Sequence, residues 1–89
     1  MTPEQAFGRA LRTLREERGL TQEALALRSG YHPTYISQLE RGMQSPSLGT
    51  LYRLAQTLLV APSDFLLRSE GSVDELPERP PQNRPRKAQ

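Results

Sequence analysis

The segment Gln22–Arg41, QEALALRSGYHPTYISQLER, limits what this chain can fold into more than any other feature. It reads as two short helices joined by a tight turn, and such a pair packs at a steep angle only if three requirements are met. Ala26 supplies a small side chain, so the second helix can approach the first. Gly30 supplies a backbone free to take positive φ in the turn. Ile36 and Leu39 supply the branched apolar contacts that lock the second helix onto the first.

The flanking sequence is helical in pattern too. Thr2-Pro3-Glu4-Gln5 has the form of a capping box with proline at the first helical position. Phe7, Ala10, Leu11 and Leu14 follow at helical spacing, and Gly19 ends that helix. Thr21 caps a second helix over residues 22–29. A third starts near His32, with Pro33 in its first turn, and runs to Arg41. Ser47 caps a fourth helix that aligns Leu48, Leu51, Leu54, Ala55 and Leu58, and Pro62 opens a short fifth ending near Arg68. No stretch alternates with period two, so no strand is expected. The expected fold class is all-α, with five helices over residues 1–69.

Composition changes after Ser69. Residues 70–89 hold Pro77, Pro80, Pro81 and Pro85 and few apolar side chains, too few to offset the entropy of ordering. A disordered Pro/Arg-rich tail is expected there, with polyproline-like pieces near Arg79–Pro85 and a weakly supported helical turn over Ser72–Leu76. The chain has 89 residues, one histidine, no cysteine and a net charge of +2. That excludes disulfides, thiol chemistry and most metal sites, and no phosphate-cradling glycine loop is present. No metal, no cofactor and no enzyme activity are expected. The absence of cysteine, of a signal peptide and of a membrane-length apolar run points to a cytoplasmic setting away from membranes.

Ala26, Gly30, Ile36 and Leu39 together are the signature of a DNA-binding helix-turn-helix, although an ordinary helical hairpin shares the glycine and the apolar pair. Thr34 and Gln38 stand four apart and so share a helical face. Glutamine can bond adenine bidentately, and threonine can bond a base edge or touch a thymine methyl. Gln22 lies close enough to brace both.

The motifs TQ at Thr21–Gln22, YIS at Tyr35–Ser37, LERG at Leu39–Gly42 and PSL at Pro46–Leu48 resemble the Xre/Cro-repressor family of bacterial and phage regulators. The resemblance runs from Phe7 to about Leu67 and implies a compact five-helix, lambda-repressor-like helix-turn-helix DNA-binding domain over residues 1–69, with the second and third helices as the motif. It implies a regulator of transcription that binds double-stranded operators, usually as a dimer. It implies base contacts from Pro33, Thr34 and Gln38, and backbone contacts from Gln22, Tyr35, Ser37, Arg41, Gln44 and Ser45. It also implies an ion pair between Arg15, which borders Leu11 and Leu14, and Glu40, which follows Leu39. Five positions depart from the family pattern. Pro33 has no amide hydrogen and little capacity for polar readout. Tyr31 replaces a smaller aliphatic residue, His32 a capping Ser or Thr, Leu59 a glycine, and Ala61 a capping serine.

Leu59, Val60, Phe65, Leu66 and Leu67 give the end of the fourth helix and the fifth more apolar surface than one small core should absorb. A homodimer interface through Leu59, Val60, Phe65 and Leu67 is therefore expected. The competing reading places Val60, Phe65 and Leu66 in the core. A second function class is an antitoxin-like adapter or restriction–modification controller, for which a protein partner would be primary.

Overall fold

The structure is a computed structural model, and it describes residues 1–74. Five helices make up its regular structure: α1 (Pro3–Glu17), α2 (Gln22–Ser29), α3 (Pro33–Glu40), α4 (Leu48–Leu58) and α5 (Pro62–Ser69). No strand occurs among the described residues. The rest of the expected tail, including Glu75 and Leu76, lies outside them. Ser72–Asp74 are not helical.

Short-range chemistry starts each helix. The Thr2 hydroxyl accepts from Gln5 N–H at 3.1 Å, while the Gln5 side chain accepts from Thr2 N–H at 3.0 Å, closing the capping box. Thr21 and Ser47 cap α2 and α4 through Ala24 and Thr50 N–H, each at 3.0 Å. His32 occupies the α3 cap in place of a hydroxyl residue, and its Nδ1 accepts from Thr34 N–H at 3.1 Å. At α5, where Ala61 has no capping atom, Asp64 accepts from Ala61 N–H at 2.9 Å. A carboxylate in the first turn also favours the helix dipole.

One core unites the helices. α1 packs on α3 and α5, α2 on α3 and α4, and α4 on α5. Leu11, Leu25, Ile36, Leu39, Leu54, Leu58 and Phe65 are fully buried within it. Phe7 and Phe65 stack with centroids 5.0 Å apart, joining the first and last helices. Gly8 lets α1 approach the end of α3: a Cβ there would sit 2.3 Å from the Leu39 carbonyl oxygen. After α5 the chain turns at Gly71, and Asp74 returns to the N-terminus. Its N–H donates to the Met1 carbonyl at 3.0 Å, and its carboxylate accepts from the Met1 amine. That amine holds the Asp74 carboxyl below its ordinary pKa.

Candidate nucleic-acid interface

Helices α2 and α3 meet as the sequence requires. Gly30 takes φ +83°, and the N–H groups of Gly30 and Tyr31 both donate to the Ala26 carbonyl, at 2.9 and 3.0 Å. Ala26, Ile36 and Leu39 are buried between the helices. Burying Ile36 and Leu39 leaves the opposite side of α3 to the polar residues. Thr34 is exposed, Ser37 and Gln38 are half-buried, and Arg41 is exposed at the C-cap. Pro33 is half-buried at the first helical position. Gln44 and Ser45 follow in an exposed loop.

The far end of α3 is anchored by ions. Arg15 Nε donates to Glu40 Oε2 at 2.6 Å and Nη2 to Oε1 at 3.0 Å, a bidentate pair. The side chains are 10% and 3% exposed, so water screens the pair little. Arg15 also donates to the Leu20 carbonyl at 2.7 Å. The hydrogen bond to Glu40 raises the Arg15 pKa against the opposing effect of burial. Gln22 joins this cluster: its Nε2 donates to Glu40 Oε1 at 3.0 Å, so it braces α3 at its last residue and makes no hydrogen bond to Thr34 or Gln38. The reason is position. Gln22 opens α2, which places it beside the last residue of α3, whereas Thr34 lies at the other end of that helix.

A second cluster holds the start of α3, and sequence reasoning had flagged only part of it. Tyr31 and Tyr35 pack with centroids 5.1 Å apart, and their hydroxyls converge on Thr50 Oγ1 at 3.0 and 3.4 Å. Ser47 Oγ lies 3.1 Å from the same oxygen. Tyr35 thus packs against Tyr31 and turns its hydroxyl toward α4. The i, i+4 spacing of the two tyrosines was visible in the sequence. Thr50, 6% exposed, was not visible as their shared partner because it belongs to another helix. Arg53 lies over the Tyr31 ring at 5.9 Å, within cation–π range.

The expected dimer surface changes membership. Phe65 is fully buried against Phe7 and is not a surface residue. Its position on the inner side of α5 directs the ring at α1. Val60 is half-buried and packs against the core. Leu59 and Leu67 are exposed, and so are Leu48, Tyr52 and Leu66, which the expectation omitted. Leu48 begins α4 and Tyr52 lies one turn later. Leu59 has φ +59°, a left-handed conformation that favours glycine and that a leucine adopts here at the end of α4. Arg18 Nη2 donates to the Leu59 carbonyl at 3.0 Å, tying that turn to α1.

A polar outer face on a helix braced at both ends, carried by a short preceding helix and a glycine turn, defines a helix-turn-helix protein. The chain belongs to the helix-turn-helix family HTH_3, which it matches over residues 11–65. It is 51% identical over 57 residues to the HTH-type transcriptional regulator y4dJ of Sinorhizobium fredii, covering 57% of this chain and 74% of that protein. The crystal structure of the clp gene regulator ClgR from Corynebacterium glutamicum superposes with a TM-score of 0.76 at 35% identity, over 80% of this chain and 91% of that one. The restriction–modification controller protein C.AhdI from Aeromonas hydrophila gives 0.67 at 39% identity, over 68% and 92%. The chain is a helix-turn-helix transcriptional regulator of the Xre/Cro-like type, not an enzyme. No described helix is long and apolar enough to cross a membrane.

Proposed function

We propose that this regulator binds double-stranded DNA sequence-specifically, as a homodimer on a two-fold symmetric operator, in the cytoplasm. The observation that carries the reading is the outer face of α3. There Thr34 and Gln38 lie opposite the buried Ile36 and Leu39. In this reading Thr34 and Gln38 read base edges in the major groove, and Pro33 packs against a thymine methyl. Gln22, Ser37, Arg41, Gln44 and Ser45 line the backbone. Tyr35 acts there through the ring and hydroxyl cluster that seats α3. The dimer uses exposed Leu59 and Leu67, extended by Leu48, Tyr52 and Leu66, with half-buried Val60 at its edge. Apolar side chains exposed in such number on a small domain favour a contact surface.

Selection of bound fragments from randomised DNA tests the reading. Two half-sites about 34–36 Å apart, or a multiple of that, are expected. On the selected site Gln38→Ala costs about 1–3 kcal/mol and relaxes preference at one base pair per half-site. Arg41→Ala weakens binding to all sequences alike and lowers the salt slope by about one charge. No enrichment, or a Gln38→Ala variant unchanged in affinity and preference, refutes the assignment. A second reading, a restriction–modification controller, is favoured by the match to C.AhdI along nearly all of that protein's length. It is tested by finding the operator beside a restriction gene.

A further inference from the structure

Tyr31 is fixed at both ends. Its N–H donates to the Ala26 carbonyl of α2 at 3.0 Å, and its hydroxyl lies 3.0 Å from Thr50 Oγ1 on α4. Arg53, one turn on from Thr50, lies over its ring at 5.9 Å. Tyr35, in the first turn of α3, packs on that ring with centroids 5.1 Å apart and makes a longer contact of 3.4 Å to Thr50 Oγ1. Ser47 Oγ lies 3.1 Å from the same oxygen. A threonine hydroxyl has one proton and two lone pairs, so three hydroxyl neighbours use its whole capacity.

α3 packs on α1 and α2, and α4 on α2 and α5. Among the described residues, no hydrogen bond or ion pair other than Tyr35 to Thr50 joins α3 to α4. The tyrosine cluster is thus the polar tie between the start of α3 and α4. The other end of α3 is held separately, by Glu40 with Arg15 and Gln22. Helical rise puts Thr34 about 9 Å from that anchor along the axis, and Gln38 about 3 Å from it. A tilt of about 5° about the anchor therefore moves Thr34 by about 0.8 Å and Gln38 by about 0.3 Å. The first shift takes a hydroxyl hydrogen bond of about 2.8 Å beyond its working range, while the second leaves an amide hydrogen bond of about 2.9 Å inside it.

We infer that Thr50 is a positioning residue for DNA reading: by anchoring Tyr31 it sets the tilt of α3, and with it what Thr34 can read, while Gln38 keeps its place beside the Glu40 anchor. This deepens, and rests on, the sequence-specific DNA binding proposed above. Thr50 is buried and its hydroxyl is taken up by the cluster, so it acts on DNA only through α3.

The test uses the full chain, selection from randomised DNA, and binding to the selected operator and its single-base variants well below the melting temperature. Thr34→Ala and Gln38→Ala first assign the position that each residue reads. Thr50→Val removes the hydroxyl at nearly constant shape. It is expected to lower discrimination at the Thr34 position at least threefold and to leave the Gln38 position within about twofold of wild type. Tyr31→Phe acts in the same way, Tyr35→Phe acts more weakly, and Thr50→Ser keeps the wild-type pattern. In a Thr34→Ala background, Thr50→Val changes nothing further at that position. Thr50→Val should also lower the melting temperature by about 4–8 °C. Thr2→Ala, which removes the α1 cap, gives a similar loss away from the cluster and leaves base preference unchanged. If Thr50→Val weakens binding to all sequences alike, as Thr2→Ala does, or relaxes both positions equally, Thr50 is structural only and the proposal is overturned. If Thr50→Val does not fold, Tyr31→Phe, which keeps the ring, decides on the same criteria. If the wild-type chain enriches a motif and Thr34→Ala leaves preference intact everywhere, the proposal fails while sequence-specific binding stands. If the wild-type chain enriches no motif, both fail.

Discussion

At Glu40 one carboxylate serves three elements. It closes the bidentate pair with Arg15 of α1, ends α3, and receives Gln22 from the start of α2. Removing either charge strands the other in a site closed to water. Arg15→Ala and Glu40→Ala should each cost about 3–5 kcal/mol, seen as a fall of more than ~10 °C in melting temperature. Replacing both residues by apolar ones of similar size should restore most of that loss. Since the Arg15 pKa is raised, its contribution is lost only as pH rises above the ordinary arginine value, and the arginine stays charged at every working pH. Leu59 is the opposite case, a residue that costs stability where it stands. Its φ of +59° suits glycine, and its side chain is exposed. Leu59→Gly should raise the melting temperature of the dilute protein, by about 0.5–1 kcal/mol in stability. The same change should shift sedimentation toward monomer if Leu59 lies in the dimer contact.

At the scale of elements, α3 is held between two polar clusters and a close backbone approach. Gly8 permits that approach, and an added methyl would collide with the carbonyl oxygens of Leu39 and Glu40. Gly8→Ala should therefore cost about 3 kcal/mol, the upper end of the range for overpacking, because backbone rather than a flexible side chain must move. Gly30 differs: a Cβ there meets nothing within 4 Å, and only φ is strained. Gly30→Ala should cost about 1–2 kcal/mol. Chemical denaturation of the two variants checks the difference. The caps of α1, α2 and α4 were legible in the sequence because each involves atoms three residues apart. The substitute caps at His32 and Asp64 were harder to read. Each needed the structure to show that an imidazole nitrogen or a first-turn carboxylate reached the free N–H.

Across the whole molecule, the two ends of the described chain meet. Residues 70–74 turn back, Val73 joins Pro3, Phe7 and Leu66 in lining an apolar groove, and Asp74 binds Met1 at the N-terminus. The tail beyond should be dispensable for folding. A chain ending at Asp74 should melt with the full-length protein. One ending at Ser69 should still fold, with a melting temperature lower by less than about 5 °C. Failure of the shorter chain to fold would place residues 70–74 within the obligatory domain.

The sequence alone determined the helices and the turn between α2 and α3, because caps, glycine turns and apolar periodicity act over three or four residues. It also placed Thr34 and Gln38 on one face, since their spacing along one helix is enough for that. It did not determine what each polar group touches across the fold. Gln22 was placed beside the reading residues and instead reaches Glu40. The Tyr35 hydroxyl, which the sequence leaves open between packing and a phosphate, meets Thr50. Phe65 was assigned to a surface and instead stacks on Phe7. Each of these depends on how separate helices are rotated and set against one another. That is decided by packing the whole core at once, and no local pattern encodes it.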